Sequence, residues 1–333
     1  MHRFVPLLPF LAAIATASEP LHLGLVLSGG GAKGAYEVGV WQELQAAGIA
    51  PRVTAISGTS VGAINAALFA TRPEAAETLW LENMEEVFTL NTNRVAKSIQ
   101  KTMDDASRAV AVAEETGEDW KGVVSFILAS GLRIAGDVAE ITQSDAPREG
   151  YVDSSKLAAA LDGAVPADWP AGAPAAYATA FEKGSDGRTA TWKLNGEPQG
   201  RRILALRASA AIPVGFDTVE IDGKTYVDGG WESKGGDNVP LEPILEIHPE
   251  IKTVIIVYLD DAKHLNKKRF DKNRSTAAAA GVRLVEIVPS ENIGRGFDGW
   301  QGVFDASPET AKHLIELGRK DAHKAQEAAG LAK

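Results

Sequence analysis

The sequence predicts an α/β fold built on a mainly parallel sheet with helices on both faces. Three observations carry that prediction. Leu21 to Leu27, LHLGLVL, is a short apolar strand that passes through a glycine-rich loop into a helix-forming run, Ala35 to Ala47, stopped at Gly48, as helix C-termini commonly are. Val53 to Ser57 repeats the pattern, turning through Gly58-Thr59-Ser60-Val61-Gly62 into the helix former Ala63 to Ala70. Lys252 to Leu259, KTVIIVYL, is a β-branched run suited to a buried parallel strand. Strands alternating with helices in this way read as βαβ units.

The rest of the chain fits around those units. Pro73 to Leu90 is an amphipathic helical segment carrying Leu79, Trp80, Met84, Val87 and Phe88; Asn93 to Glu115 is polar and helical; Trp120 to Val138 is apolar with interspersed glycines. The block 71–150 is compatible with peripheral packing or with a cap over a site, Trp120, Phe126, Ile127 and Leu128 then forming its apolar surface. Tyr151 to Leu161 predicts a helix. Pro174 to Glu182 and Thr189 to Leu194 predict paired strands around the turn Gly184-Ser185-Asp186-Gly187. Arg201 to Ala211 predicts a helix, Thr218 to Val227 a second hairpin turning at Asp222-Gly223, Arg283 to Val288 a further strand, and Pro308 to Glu327 a closing helix.

Composition narrows the function. Of 333 residues, 45% are hydrophobic, enough for a sizeable core. The net charge of -10 argues against nucleic acid, which requires clustered cations. It also supplies no attraction to anionic lipid, so any membrane contact must be apolar and local. There is no cysteine, which excludes disulfides and thiol chemistry, and the six histidines show no metal-ligand spacing, so neither metal nor cofactor is expected. His2 and Arg3 begin the chain, Phe4 to Ile14 is apolar but too short to span a bilayer, and Ala15-Thr16-Ala17 is a small-x-small cleavage site before Ser18. These features predict a signal peptide over residues 1–17 and an exported protein, periplasmic or secreted; a buried strand or a lipid-facing tail is the alternative. Residues 18–333 are expected to form a single domain.

The candidate chemistry centres on Ser60. Strand, G-x-S-x-G, helix is the pattern of a nucleophile elbow, with glycines where bulk would strike strand or helix. Taken alone, it equally describes a glycine-rich turn whose serine only caps the helix. The Gly29-Gly30-Gly31 loop after the first strand offers unhindered N–H groups at the same end of the sheet, ahead of a helix whose dipole favours negative charge. That loop also fits G-x-G-x-x-G, at Gly29, Gly31 and Gly34. A dinucleotide site would need an acid near the end of the second strand, where Ala55-Ile56-Ser57 stand, and a P-loop would need Lys-Ser/Thr after Gly34, where Ala35-Tyr36 stand. No nucleotide is therefore expected. Asp228 is the best placed acid, at the end of a hairpin strand before two glycines; an ordinary Asp-Gly turn is the plainer reading. A Ser-His-Asp triad would call on His248, His264, His313 or His323, each of which also reads as a surface histidine.

Taken in order, these segments resemble the patatin-like phospholipase family. GGGAKGAYEVGV at Gly29 to Val40 resembles its oxyanion-loop signature, GTSVG at Gly58 to Gly62 its elbow, ASAAIPVGF at Ala208 to Phe216 its S-x-A-I-P segment, and YVDGG at Tyr226 to Gly230 its catalytic Asp-Gly-Gly. GVFDASPETAKHLIELGRKDA resembles its C-terminal helix, so the resemblance runs from Leu21 to about Ala325. It implies a three-layer α/β/α sandwich and a Ser–Asp dyad without histidine. Ser60 would be the nucleophile and Asp228 the base and later the acid. Gly29, Gly30 and Gly31 would line an oxyanion hole with the N–H of Val61, supported by Gly58, Gly62, Gly229 and Gly230. It further implies metal-free hydrolysis of acyl esters in phospholipids, lysophospholipids or other glycerolipids, at a membrane or micelle surface. A carboxylesterase of short soluble esters and a catalytically silent binding member are the alternatives on the same fold. One departure bears on the site: the family places an Asn and a Pro soon after Asp-Gly-Gly, whereas Asn238 and Pro240 follow the longer loop Trp231 to Asp237.

Overall fold

In the computed structural model, residues 22–89, 150, 152–213, 215–231, 235–294 and 300–331 are described. In chain order they form β1 (Leu23–Leu27), a 3-10 turn (Gly31–Gly34), α1 (Ala35–Ala46), β2 (Val53–Thr59), α2 (Val61–Thr71) and α3 (Pro73–Thr78). A single π-turn (Leu79–Asn83) leads into α4 (Met84–Val87), and α5 (Ser154–Ala164) comes next among the described residues. Then come β3 (Ala175–Glu182), β4 (Thr189–Lys193), α6 (Gln199–Ser209), β5 (Val219–Ile221), β6 (Lys224–Asp228), α7 (Glu242–Ile247) and β7 (Thr253–Val257). The chain closes with α8 (Lys267–Ala279), β8 (Arg283–Ile287), α9 (Trp300–Phe304) and α10 (Pro308–Ala329). The expected signal peptide and most of the block 71–150, including Trp120, Phe126, Ile127 and Leu128, lie outside the described residues.

Every residue of β1 is buried. Leu23, Leu25 and Leu27 join the large core under α1, α2 and α10, while Val26 joins a second core under α7 and α8. β7 alternates in the same way, Ile255 and Val257 against Val254 and Ile256. Strands covered on both faces have no polar side, which is why these runs read as continuously apolar. The result is the expected three layers. Each leucine fully removed from water contributes about 1.5–3 kcal/mol. The sheet order is β5-β6-β3-β2-β1-β7-β8, with β4 also paired to β3. β3, β2, β1, β7 and β8 run parallel, and β4, β5 and β6 form the antiparallel end. Asp222 (φ 53) and Gly223 (φ 74) turn the β5–β6 hairpin, the paired left-handed residues that an Asp-Gly turn supplies.

One feature of this sheet creates the site. β2 pairs with β3 as far as Thr59↔Thr179, and β4 lies across from it on the other edge, spanning Tyr177 to Phe181. β6 pairs with Ala180 to Glu182, so it must share the edge used by β2. Two strands of opposite direction therefore meet end to end along β3. Their last residues, Thr59 and Asp228, stand opposite consecutive residues, Thr179 and Ala180.

Candidate active site

Ser60 is the single residue between β2 and α2. Its backbone sits at φ 57 and ψ -127, a conformation that costs a side-chain-bearing residue of order 1–3 kcal/mol. Tight packing enforces it. A Cβ on Gly58 would run into the backbone of Gly62 and Ala63, and one on Gly62 would come within 2.5 Å of the Leu27 carbonyl oxygen and 2.8 Å of the Ser28 carbonyl oxygen. The Ser60 side chain makes no capping hydrogen bond to α2. Instead the Ser60 N–H donates to Ser209 Oγ at 2.8 Å, and Ser209 Oγ donates to the Thr179 carbonyl at 2.6 Å.

Asp228 reaches the elbow from the opposing strand end. Its N–H donates to the Ala211 carbonyl at 2.9 Å, and the Gly229 N–H donates to the Ser209 carbonyl at 3.3 Å. The carboxylate Oδ1 accepts the Gly230 N–H at 2.7 Å. Oδ2 is buried without a partner in full hydrogen-bond geometry, yet the carboxyl lies close enough to the Ser60 hydroxyl to feel it. Burial pushes the Asp228 carboxyl up to about 6, against the opposing pull of the Ser60 hydroxyl and the Gly230 N–H. Ser60 and Asp228 are only 3% and 6% exposed, so water does not screen their interaction strongly. Catalytic hydrogen bonds often tighten only when substrate binds.

The glycine loop lies on the other side of Ser60. The three glycines of the loop are not equivalent. The Gly29 N–H donates to the Asn238 carbonyl at 3.1 Å, and Asn238 Nδ2 donates back to the Gly29 carbonyl at 3.2 Å. Gly29 is thus a clamped residue rather than a free donor. Among the described residues the N–H groups of Gly30, Gly31 and Val61 have no partner. Gly31 adopts φ 59, and a Cβ there would strike the Val303 backbone. Asn238 therefore returns to the site despite the longer loop before it, and Thr59 Oγ1 donating to the Asp237 carbonyl at 2.7 Å fixes that return. Asp237 is itself held by Arg269 Nη1 at 2.7 Å, and its burial pushes its carboxyl upward.

Beneath the loop, Asn65 Nδ2 donates to the Gly34 carbonyl at 3.0 Å and to Glu37 Oε2 at 2.8 Å, and Trp80 Nε1 donates to Asn65 Oδ1 at 2.9 Å. This network ties α1 to α2 and to the π-turn. Burial pushes the Glu37 carboxyl well up, which favours its neutral form. Beside Ser60 an apolar slot is lined by Ile64, Met84, Val87, Phe88, Leu157 and Phe216, and is almost closed at about 10 Å³. The rings of Phe88 and Phe216 meet edge to face at 5.8 Å. A polar groove of about 730 Å³ opens elsewhere, between β4 and α8, and neither Ser60 nor Asp228 lines it.

The histidines considered from sequence are engaged elsewhere. His248 contacts the Tyr177 hydroxyl and Glu250, His264 contacts Asp261, His313 contacts Glu291, and His323 contacts Glu43. Among the described residues none pairs with Ser60 or Asp228. No cluster of three His, Asp or Glu side chains that could hold a metal is found among those residues, and no helix there is long and apolar enough to cross a membrane. Sequence reasoning singled out Ser60, Asp228 and the glycines but missed the parts played by Ser209 and Asn238. Both were visible only as members of short segments; nothing local marks a side chain that bonds 149 or 209 residues away.

A family model described as Patatin-like phospholipase matches residues 25–245. No curated protein matches the chain significantly. Solved structures with a similar arrangement include VipD from Legionella pneumophila, at 16% identity and TM-score 0.46, covering 92% of this chain and 67% of that one. The ExoU–SpcU complex from the type III secretion system of Pseudomonas aeruginosa is similar at 14% identity and TM-score 0.39, covering 93% and 52%. Human GIVD cytosolic phospholipase A2 is similar at 10% identity and TM-score 0.47, covering 94% and 60%. The chain thus spans about half to two thirds of the length of these structures.

Proposed function

The chain belongs to the patatin-like phospholipase family, and we propose on that premise that it is a serine lipid acyl hydrolase of the phospholipase A or lysophospholipase type. The reaction runs through a Ser60–Asp228 dyad and cleaves carboxylic ester bonds of glycerolipids. The observation that carries this reading is the end-to-end meeting of β2 and β6 on β3, which sets a buried carboxyl with a raised pKa beside a serine on a strained turn.

The chemistry follows from that placement. Ionised Asp228 removes the Ser60 Oγ proton as Oγ attacks the ester carbonyl. The negative charge that develops on the carbonyl oxygen is met by the N–H groups of Gly30, Gly31 and Val61, with the dipole of α2 behind Val61. Protonated Asp228 gives its proton to the departing alcohol, leaving an acyl-serine. A water then loses its proton to Asp228, attacks the acyl carbon and releases the fatty acid, and Ser60 recovers its proton. A base near 6 is mostly ionised at neutral pH and still holds a proton well enough to return it.

The apolar lining of the slot beside Ser60 is what an acyl group would meet on entering the site, and presentation of the substrate at a membrane or micelle surface is part of the same proposal. The closed state of the slot also favours a second reading, short soluble esters, which a chain-length panel separates from the first. The composition of residues 1–17 supports export to the periplasm or the medium.

The test is product analysis by mass spectrometry on mixed phospholipid vesicles with wild type, Ser60→Ala and Asp228→Ala. Wild type should release fatty acid and the matching lysolipid, and both variants should fall by about 10³-fold or more. Release by Ser60→Ala at the wild-type rate would end the proposal.

A further inference from the structure

We infer that Ser209 is a positioning residue for the nucleophile: its hydroxyl holds the Ser60 amide and thereby fixes the elbow that presents the Ser60 side chain. The inference rests on the dyad reading above and adds to it a residue at the junction of the two strand ends.

The Ser60 N–H has no backbone acceptor to turn to. β2 ends at Thr59 and α2 starts at Val61, and the first N–H groups of a helix lack intrahelical partners. In a buried turn such a group needs a built acceptor. Ser209 Oγ supplies it at 2.8 Å while donating its own proton to the Thr179 carbonyl at 2.6 Å. The two bonds define the direction of the hydroxyl, as donor to the strand and acceptor from the elbow. Only a side chain that both donates and accepts can do this from a site with 0% exposure.

A buried serine near a helix C-terminus has a plainer explanation, because it often satisfies itself on the carbonyl four residues back. Ser209, the last residue of α6, does not. Its proton goes to Thr179, 30 residues away, and its oxygen serves Ser60, 149 residues away. The same residue faces the base. Its carbonyl accepts the Gly229 N–H at 3.3 Å, and two residues on the Ala211 carbonyl accepts the Asp228 N–H at 2.9 Å. The side chain of Ser209 thus holds the nucleophile strand and its backbone holds the base strand. Loss of the hydroxyl alone would free the elbow while leaving Asp228 in place. The left-handed backbone at Ser60 persists only where its surroundings over-determine it, so release there lets Ser60 turn away from Asp228.

The test uses the full chain as wild type, Ser60→Ala, Ser209→Ala and Ser209→Cys, with kcat and KM measured on a soluble fatty-acyl ester alongside thermal unfolding. A purely structural serine would lower the melting temperature and leave the kcat of folded enzyme unchanged. A positioning serine lowers kcat of folded Ser209→Ala by about 10- to 100-fold with KM held within about twofold. Ser209→Cys, close in size but a weak hydrogen-bond partner, should fall between. If Ser209→Ala does not fold, Ser209→Cys decides by the same split. A kcat within about twofold of wild type in the folded variant overturns the inference. Full activity in Ser60→Ala would instead overturn the dyad reading, so the two failures are distinguishable.

Discussion

The two halves of the site are built by different means. The nucleophile half is mostly local: five contiguous residues, Gly58 to Gly62, join a buried strand to a buried helix, and backbone packing against β1 sets their shape, with the distant Ser209 hydroxyl as an added support. The base half is assembled from a distance. Asp228 ends a strand of five residues, and what holds it comes from Ala211, the Ser209 carbonyl and β3. Each half should therefore tolerate different changes. A half made by steric fit breaks when an atom is added, whereas a half made by hydrogen bonding and burial breaks when the chemistry of a group is changed at constant shape.

The largest expected effect follows from such a change at the base. Asp228→Asn keeps the shape and removes the base, so kcat should fall by about 10²- to 10⁴-fold. Stability should move the other way. The folded pKa of about 6 stands above the ordinary aspartate value. The folded protein therefore holds this proton more tightly than the unfolded chain does. The stability linked to that proton is fully present below about pH 4 and is lost as pH rises through about 6. Keeping Asp228 ionised at pH 8 thus costs on the order of 3 kcal/mol, and the asparagine variant avoids most of that cost. Thermal melts should show Asp228→Asn above wild type at pH 8 and level with it at pH 4. Wild-type kcat/KM should rise with pH through a single ionisation near 6. Equal melting temperatures at pH 8 would mean that Asp228 is less buried than the structure shows.

The nucleophile half should be the more sensitive of the two to steric insult. Gly62→Ala forces a methyl against the Leu27 and Ser28 carbonyl oxygens, so β1 and the glycine loop must shift with it. An overpacking cost of about 1–3 kcal/mol is expected, with activity lost by about 10²-fold as the free N–H groups leave their positions. Gly230→Ala is the matching insult to the base half. There the added methyl meets side-chain atoms, Asn238 Oδ1 at 2.5 Å and Asp228 Oδ1 at 3.0 Å, and at least the asparagine can swing aside. Its activity should drop less, by about tenfold. Comparable losses in the two alanine variants would erase the distinction between a steric and a hydrogen-bonded half.

The same division explains what could be read from the sequence. β1 and β7, set by nearly continuous apolar runs, and β2 and β8, with fewer apolar residues, lie within two residues of their expected bounds, as does the β5–β6 hairpin. α8 escaped notice because Lys267 to Ala279 buries little beyond Asn273 and Ala277 and shows no apolar stripe. Within the site, the elbow was legible because its glycines and serine are contiguous and its geometry is fixed by their sizes. From its own surroundings Asp228 is legible as a hairpin end before two glycines, and its role as a base comes from the resemblance of Tyr226 to Gly230 to the family's Asp-Gly-Gly. Nothing in the run Gly29-Gly30-Gly31 separates the three residues. The distinction is made by Asn238, whose partner lies 209 residues away. An asparagine that far down the chain carries no local mark of the contact it makes.

That asparagine supplies the smallest of the expected effects, and it lies where the two halves touch. Asn238 joins the glycine loop to the chain segment that follows the base, through one backbone bond and one side-chain bond to Gly29. Asn238→Ala removes only the second. The Gly29 N–H keeps its acceptor on the Asn238 carbonyl, and the Gly29 carbonyl loses one neutral hydrogen bond, worth about 1 kcal/mol. If the loop is held mainly by its steric fit against α9 and the elbow, that bond is nearly redundant and kcat should fall by only about threefold. If the loop depends on the asparagine, the fall should approach the hundredfold or more that loss of an oxyanion donor brings. The steric account is favoured because Gly30 is packed against Leu259 and Gly31 against Val303, contacts that the substitution leaves intact. Steady-state kcat for Asn238→Ala, set beside that for Gly62→Ala, therefore reports which kind of contact holds the oxyanion loop.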